Sequence, residues 1–180
     1  MRAPSRFMPP FQPRVPGVFG WIFAIALVVG ALLLIYSFAS TAPLATGLGL
    51  GALALYVWHT ARSRQRKLRA VAQSRIGQGI CEFARDFDSR AVDTWVIRAV
   101  FEQLQSYLSD VQPAFPVRAE DRLPKHLIAD PDDLDMDLVH EIAQRTGRSL
   151  EKTDLNPYYG KVLTVRDLVL FFDAQPKRAA

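Results

Sequence analysis

The residues most suggestive of chemistry form one acidic segment, DPDDLDMD, at positions 130–137. Five of its eight residues are aspartates, and it continues into the helix-like sequence LVHEIAQRTG. Carboxylates at this density can bind a cation, cap a helix, act as catalytic acids or present charge to a protein partner. Each possibility requires different neighbouring residues, so the rest of the sequence distinguishes among them.

Part of the acidic segment is explained by the start of a helix. Asp130 before Pro131 is typical of an N-cap followed by proline at the first helical position. Asp132 and Asp133 then fall in the first turn, where the helix dipole favours negative charge. Gly147 is placed to end this helix. The apolar residues that would form its buried face are Leu134, Leu138, Val139, Ile142 and Ala143.

Three carboxylates exceed what a helix start needs: Asp135, Asp137 and Glu141. Asp133, Asp137 and Glu141 are four residues apart, so their like charges would lie along one ridge and repel by roughly a few tenths of a kcal/mol per pair. The pattern fits a solvated helix face, and it equally fits a surface that docks a protein with basic residues.

Other chemistries fail on residue type or spacing. A calcium loop beginning at Asp133 needs glycine at its sixth position, where Leu138 stands. His126, His140 and Cys81 do not have the spacing of zinc ligands. The sequence also contains no glycine-rich phosphate loop and no serine nucleophile elbow. We therefore expect no metal, cofactor or small-molecule substrate, and no enzymatic activity.

Charge divides the chain into two parts. Residues 1–74 hold eight of the 22 basic residues and no acid, so the rest holds 14 basic residues, all 18 acids and a net charge of −4. The overall charge of +4 therefore does not indicate a nucleic-acid partner. The single cysteine, Cys81, excludes an internal disulfide. Its place in the apolar row Ile80, Phe83 and Phe87 predicts a buried packing thiol.

Two apolar stretches near the N-terminus predict a transmembrane hairpin. Val18–Phe38 has 21 residues without a charge, which is about 31 Å as a helix and enough to cross the hydrocarbon of a bilayer. Pro43 breaks the run, and a second span follows that ends near His59. Gly47 and Gly51 form a GxxxG pair, which would allow the two helices to approach closely. Aromatic residues near the span ends, typical of interfacial belts, are Trp21, Tyr36, Tyr56 and Trp58.

The flanking charges predict the orientation of these spans. Arginines lie in the N-terminal tail, and RSRQRKLR follows the second span, whereas the connecting SFASTAPL is neutral. Because basic flanks remain in the cytoplasm, we expect a bacterial inner-membrane protein with both termini and the C-terminal domain cytoplasmic. Contact with anionic lipid explains the basic run better than nucleic acid does. A signal peptide cleaved before Ser40 is an alternative that the length of the apolar region disfavours.

Beyond the spans the sequence predicts further helices. Asp88 or Ser89 would cap one of them, with Asp93 in its first turn. The proline-bearing loop QPAFP follows, and then the linking stretch VRAEDRLPKHLIA. Thr164 followed by Asp167 predicts a capped final helix whose buried side is LVLFF. An earlier helix would place Ile76, Ile80, Phe83 and Phe87 on one face.

The order of these elements, from about Val92 to Phe172, is a long helix, a proline-bearing loop, an acidic helix ending in RTG, and the string TVRDLVLFF. This order resembles the acyl carrier protein fold, and it is similar to divergent acyl-carrier-like proteins of bacteria whose second helix begins with extra aspartates. Together with the two spans, the resemblance implies an all-α chain: a two-helix transmembrane hairpin followed by a small acyl-carrier-like helical bundle.

The attachment serine of that family is missing from its expected place. In carriers a phosphopantetheine arm is attached to the serine of an Asp-Ser-Leu motif at the head of the second helix. Alignment on Gly147 puts Asp132 at the serine position, and no serine or threonine occurs between Ser109 and Thr146. The resemblance therefore implies a carrier-like fold without its cofactor. The alternative attachment site is Ser89, in FDSRAV.

The predicted domains are a cytoplasmic tail, a transmembrane hairpin, a basic juxtamembrane helical segment and an acyl-carrier-like domain. Their boundaries are 1–17, 18–60, 61–87 and 88–175. The predicted function is that of a membrane-anchored, non-catalytic adaptor. It would contact the bilayer and dock a cytoplasmic protein with a basic surface through Asp135, Asp137 and Glu141. Two alternatives stay open: a true carrier modified at Ser89, and a structural subunit of an inner-membrane assembly that packs through the glycine-bearing span.

Overall fold

A computed structural model of the 180-residue chain describes residues 5, 8, 17–123, 127 and 138–178. The helices are α1 (Val18–Thr41), α2 (Pro43–Gln73), α3 (Ile80–Arg85), α4 (Thr94–Tyr107), α5 (Val139–Thr146) and α6 (Val165–Ala174), with a 3-10 helix at Thr153–Leu155. Within these ranges strand-like pairing is limited to two isolated bridges, Arg122 with Thr164 and Arg148 with Lys177. The prediction of an all-α chain that begins with two long apolar helices is confirmed for the described residues.

Residues 12–66 form one of two compact units and contain α1 and most of α2. Both helices are long and apolar enough to cross a membrane. A Cβ atom built on Gly47 or Gly51 would meet nothing within 4 Å, so the two spans do not approach each other closely at this pair. Small residues only permit close approach, and a complementary surface is needed to use it. Near the end of the apolar stretch, the Arg62 guanidinium lies 4.6 Å from the Trp58 ring centroid, in a cation–π contact.

The second unit comprises residues 1–11 and 67–180, and its core begins on α2. This helix continues beyond the predicted end near His59 as far as Gln73, and Leu68 and Ala72 are buried in the core. The buried core therefore starts about twenty residues before position 88, where the sequence placed the domain boundary. The burial of Leu68 and Ala72 could not be predicted from the sequence, because the neighbouring residues are basic. A helix that buries only two small or medium residues has a weak apolar pattern.

A turn at residues 74–77 separates α2 from α3, with Gly77 at a φ of 87°. Because the helix ends at Gln73, the expected apolar face is interrupted: Phe83 is buried, but Ile76 is 81% exposed. The predicted burial of Ile76 is wrong for this reason. Cys81 is also exposed, so its predicted role as a buried packing thiol is wrong. It lies two residues from Phe83, which places it on the opposite side of the short helix.

The central helix is α4, which contacts α3, α5 and α6. Its N-cap is Asp93, whose Oδ1 accepts a hydrogen bond from the Trp95 amide at 2.9 Å. The prediction of Asp88 or Ser89 as the cap is wrong, because the Asp88 carboxylate instead accepts from the Arg90 amide in a local turn. The buried apolar residues of α4 are Val96, Ile97, Ala99, Val100, Phe101 and Leu104.

The ends of α5 and α6 follow the sequence signals closely. Gly147, at a φ of 66°, ends α5 in the left-handed conformation. Thr164 caps α6 in a capping box with Asp167, as predicted. Four of the five residues in LVLFF are buried: Leu168, Val169, Phe171 and Phe172. The predicted start of the acidic helix at Asp130, with its first-turn aspartates and Leu134, lies outside the described residues.

Candidate docking surface and neighbouring clefts

Of the three predicted docking residues, Glu141 lies within the described part of the chain, and Asp135 and Asp137 lie outside it. Glu141 is half-buried on α5. Its Oε2 accepts a hydrogen bond from Nε2 of Gln103 on α4. The carboxylate predicted to contact a partner therefore also has an internal partner.

The Gln103 amide belongs to a polar network between α4 and α5. Arg145 Nη1 donates to Gln103 Oε1 at 3.0 Å, and Arg145 Nη2 forms an ion pair with Glu102. Arg98 Nη1 donates to the other Glu102 oxygen at 2.8 Å. Gln103 and Arg145 are buried, so these bonds replace part of the water that both groups lose on folding. The network holds α5 against α4, and through Glu141 it reaches the predicted docking face.

The sequence analysis missed this network. Its signal was the polar pair Glu102-Gln103 between the apolar residues Phe101 and Leu104 of α4, together with Arg145 on the short α5. Polar residues at these positions are predicted to face solvent when the direction of the neighbouring helix is unknown. The contact depends on the way α4 and α5 cross, which a periodic pattern does not specify.

A second buried arginine joins three helix ends. Arg148, which follows the C-cap Gly147 of α5, donates from Nη1 to the Gln175 carbonyl oxygen at 2.6 Å. Its Nη2 lies 3.5 Å from Asp93 Oδ2 and 3.3 Å from Asp173 Oδ1. Asp173 Oδ1 also accepts from the Asp93 amide at 3.0 Å. The start of α4 and the ends of α5 and α6 are therefore fixed relative to each other, which gives the α5 surface a rigid support.

Ser89, the alternative attachment site, is exposed in the turn before α4. It precedes the N-cap residue Asp93 by four positions, so it lies outside the first turn of the helix. Across the described ranges, no group of three or more His, Cys, Asp or Glu side chains could hold a metal ion.

Two clefts open beside α5. One, of about 650 Å³, is mainly apolar, with Val139, His140, Leu150, Thr153, Tyr159, Gly160, Val162, Leu168 and Phe171 in its lining. The other, of about 740 Å³, is lined mostly by residues with polar or charged side chains: His140, Ser149, Leu150, Glu151, Lys152, Pro176, Lys177 and Arg178. His140 and Leu150 line both clefts, so the apolar and cationic regions adjoin.

A third cleft, of about 430 Å³, lies near α3 and includes Arg75, Glu82 and Asp121 in its lining. The Gly79 amide donates to Glu82 Oε2 at 2.9 Å. This bond, followed by a bond from the Glu82 amide and the positive charge of Arg85, holds the pKa of the Glu82 carboxyl below its ordinary value. Because Gly79 has no side chain, only the Glu82 half of a capping box is present. The carboxylate therefore stabilises the start of α3.

Comparison of the chain with protein-family models, with curated proteins and with solved structures gave no match. The described side chains form internal ion pairs, helix caps and two adjoining clefts beside α5.

Proposed function

We propose that this protein is a membrane-anchored, non-catalytic adaptor whose acidic helix docks a cytoplasmic protein with a basic surface. The observation that carries the proposal is the division of charge along the chain. The apolar helices and the basic flank hold no acid, whereas the part after residue 74 has a net charge of −4. A basic partner would be attracted to this part by complementary charge, which raises association rates and gives specificity.

The helical scaffold supports a docking role for the α5 region. Arg145 and Arg148 tie α5 to α4 and to the end of α6, so a partner would not need to order this helix when it binds. His140 and Gln144 are exposed on α5, next to the half-buried Glu141. Asp135 and Asp137 would extend this surface towards the N-terminal side of the helix.

The N-terminal segment supports the proposed orientation in the membrane. Met8 is partly buried against the core of the unit that contains residues 67–180. A segment that precedes the spans can pack on a domain that follows them only if both lie on the same side of the bilayer. Two crossings by α1 and α2 satisfy this condition. With basic flanks on both sides of the hairpin, that side would be the cytoplasm of a bacterial cell.

We also propose that the bundle from α4 to α6 is acyl-carrier-like without carrying an acyl group. The left-handed Gly147 at the end of α5 and the Thr164–Asp167 capping box support this, because both fall in the strings that carry the resemblance. Asp132 would replace the attachment serine. After incubation with a promiscuous phosphopantetheinyl transferase, the intact mass should be unchanged, and a gain of one phosphopantetheine would support a carrier modified at Ser89.

The adaptor proposal is tested by exchanging the anchor. Residues 18–60 are replaced by an unrelated two-span hairpin, and both forms are used to capture partners from native membranes. The adaptor should recover the same partner with either anchor, because the binding surface lies in the domain. Recovery only with the native spans would contradict the adaptor and support a structural subunit. The matched control is a thermal melt of both forms, which should coincide.

One observation favours the structural-subunit alternative. Gly47 and Gly51 have open space where a Cβ would lie, so this face of α2 is available to another membrane helix. Replacing both glycines with leucine should break such an assembly and leave partner capture by the adaptor unchanged.

A further inference from the structure

The two clefts beside α5 together form an amphiphilic groove. Its apolar part has a floor of Leu168 and Phe171, which belong to the buried core, and walls of partly buried Val139, Leu150 and Val162. Its volume of about 650 Å³ lies within the range of about 300–1,000 Å³ that is typical of ligand pockets. An apolar chain could therefore be removed from water in this part of the groove.

The polar part of the groove carries an excess of positive charge. Lys152, Lys177 and Arg178 line it and are exposed, and Glu151 is the one acidic residue in its lining. None of these three cations forms an ion pair with a described residue. Elsewhere in the same domain, Arg75, Arg145 and Arg148 are neutralised by carboxylates. The groove therefore keeps cations that are available to an external anion.

Backbone hydrogen bonds position two of these cations, Lys177 and Arg178. The Ser149 amide donates to the Pro176 carbonyl oxygen, and the Arg178 amide donates to the Gly147 carbonyl oxygen, both at 2.8 Å. This short antiparallel pairing holds Lys177 and Arg178 beside the end of α5 without the help of an acidic side chain. Positive charge is favourable at the C-terminus of a helix, which explains in part why these residues are stable there.

Residues 153–163, several of which line the apolar part of the groove, also expose apolar side chains. Leu155 is 75% exposed, Tyr159 is 57% exposed and Leu163 is 61% exposed. Exposed apolar groups beside basic ones are typical of surfaces that contact a membrane interface. The chain has two helices able to cross a bilayer, so anionic phospholipid would be close to this domain.

We infer that the groove binds one anionic phospholipid. Its phosphate would lie among Lys152, Lys177 and Arg178, and part of an acyl chain would lie against Leu150, Val162 and Leu168. The occupant is a lipid and not a soluble anion, because half of the groove is apolar. This function goes beyond partner docking. It shares the membrane anchor with the proposed adaptor, and the residues that would hold the lipid differ from Asp135, Asp137 and Glu141.

The test uses the full chain in detergent micelles, with phosphatidylglycerol or phosphatidylcholine added, and measures amide hydrogen exchange in residues 149–163 and 175–178. Phosphatidylglycerol should slow exchange in both segments, and phosphatidylcholine should not. The variant Lys152→Gln, Lys177→Gln, Arg178→Gln should raise the half-saturating phosphatidylglycerol concentration about a hundredfold, since each cation near anionic lipid contributes about fivefold. The control Arg85→Gln, Arg90→Gln, Arg122→Gln removes the same charge from other exposed positions and should leave the half-saturating concentration unchanged.

Three results would overturn the inference. The first is the absence of protection by phosphatidylglycerol in the native chain. The second is an equal rise in the half-saturating phosphatidylglycerol concentration for the control variant, which would indicate general charge attraction. The third is equal protection by inorganic phosphate, which would indicate a plain anion site. Val162→Asn tests the apolar half separately, because it should weaken phosphatidylglycerol binding; thermal melts show that each variant folds. Partner capture is a separate measurement, so failure here leaves the adaptor proposal intact.

Discussion

Arg75 and Asp121 form a bidentate ion pair in which Nη1 lies 2.8 Å from Oδ2 and Nη2 lies 2.8 Å from Oδ1. The Asp121 side chain is 6% exposed and also accepts from the Arg118 amide at 2.9 Å. The Asp121 carbonyl oxygen accepts from the Val165 amide, which would otherwise be an unsatisfied donor at the start of α6. Asp121 thus joins the turn after α2 to the linker through its side chain, and joins the linker to the last helix through its backbone.

The first prediction is that Asp121→Asn destabilises the domain. Removing one partner of a buried ion pair leaves the other charge without compensation. Because the Arg75 side chain is 18% exposed, we expect a loss of about 2–3 kcal/mol in the free energy of unfolding, below the full cost for a completely buried pair. Thermal and denaturant melts of the full chain in detergent measure this loss.

Glu120→Gln is the matched control, because it neutralises the adjacent acid. Glu120 pairs with Arg166 at 2.7 Å, but its side chain is 74% exposed, so the expected loss is under about 1 kcal/mol. Equal losses for the two variants would mean that the Asp121 side chain stabilises the fold no more than an exposed ion pair does.

The second prediction concerns the pH dependence of α3. The Gly79 amide bond, with the Glu82 amide bond and Arg85, lowers the pKa of Glu82 from its ordinary value of 4.5, so the ionised carboxylate stabilises the folded state. This contribution is fully present above pH 4.5 and is lost as the pH falls through the lower folded-state pKa. Glu82→Gln should therefore lower the melting temperature at neutral pH, and the difference from the native chain should vanish in acid. A difference that persists in acid would assign the effect to packing.

The sequence predicted the elements that are specified by neighbouring residues, and it did not predict the contacts between segments that are distant in the chain. Gly147 and the Thr164–Asp167 box are recognisable because each motif satisfies backbone groups within one turn. Asp121 lies in a stretch that was predicted to be only a link between helices. Its role could not be predicted, because its partners Arg75 and Val165 are far away in the chain. The Gln103–Glu141 bond was missed for the same reason. Sequence spacing gives the face of a helix but not the neighbour that covers it.

The third prediction is that Met8 and Arg178 lie on the same side of the membrane. Reporter fusions before Met8 and after Arg178 should both indicate the cytoplasm, and a reporter at Ala42, between α1 and α2, should indicate the opposite side. A cytoplasmic Ala42 or a periplasmic C-terminus would contradict the two-span hairpin. Cleavage before Ser40 would instead support a signal peptide, and the mass of the purified chain would reveal it.

The fourth prediction separates the docking residues by their internal contacts. Asp135 and Asp137 lie beyond the first turn of the predicted acidic helix, where the dipole no longer helps and like charges repel. Replacing both with asparagine should leave the melting temperature unchanged or slightly higher. Glu141→Gln should lower it, because the buried Gln103 amide loses a charged acceptor, and hydrogen bonds to charged groups contribute about 1.5–3 kcal/mol.

Partner binding should depend more on Asp135 and Asp137 than on Glu141, which is the reverse of the order expected for stability. If the acidic face attracts a basic partner, Asp135→Asn with Asp137→Asn should weaken capture and flatten its dependence on salt, because screened Coulomb attraction supplies the salt dependence. Glu141→Gln should have the smaller effect on capture, since its carboxylate already accepts from Gln103. A salt-titrated pull-down of the two variants measures both quantities, with Asp110→Asn as a control at an exposed acid outside the helix. Unchanged capture with the double variant would mean that the acidic face is only a solvated surface.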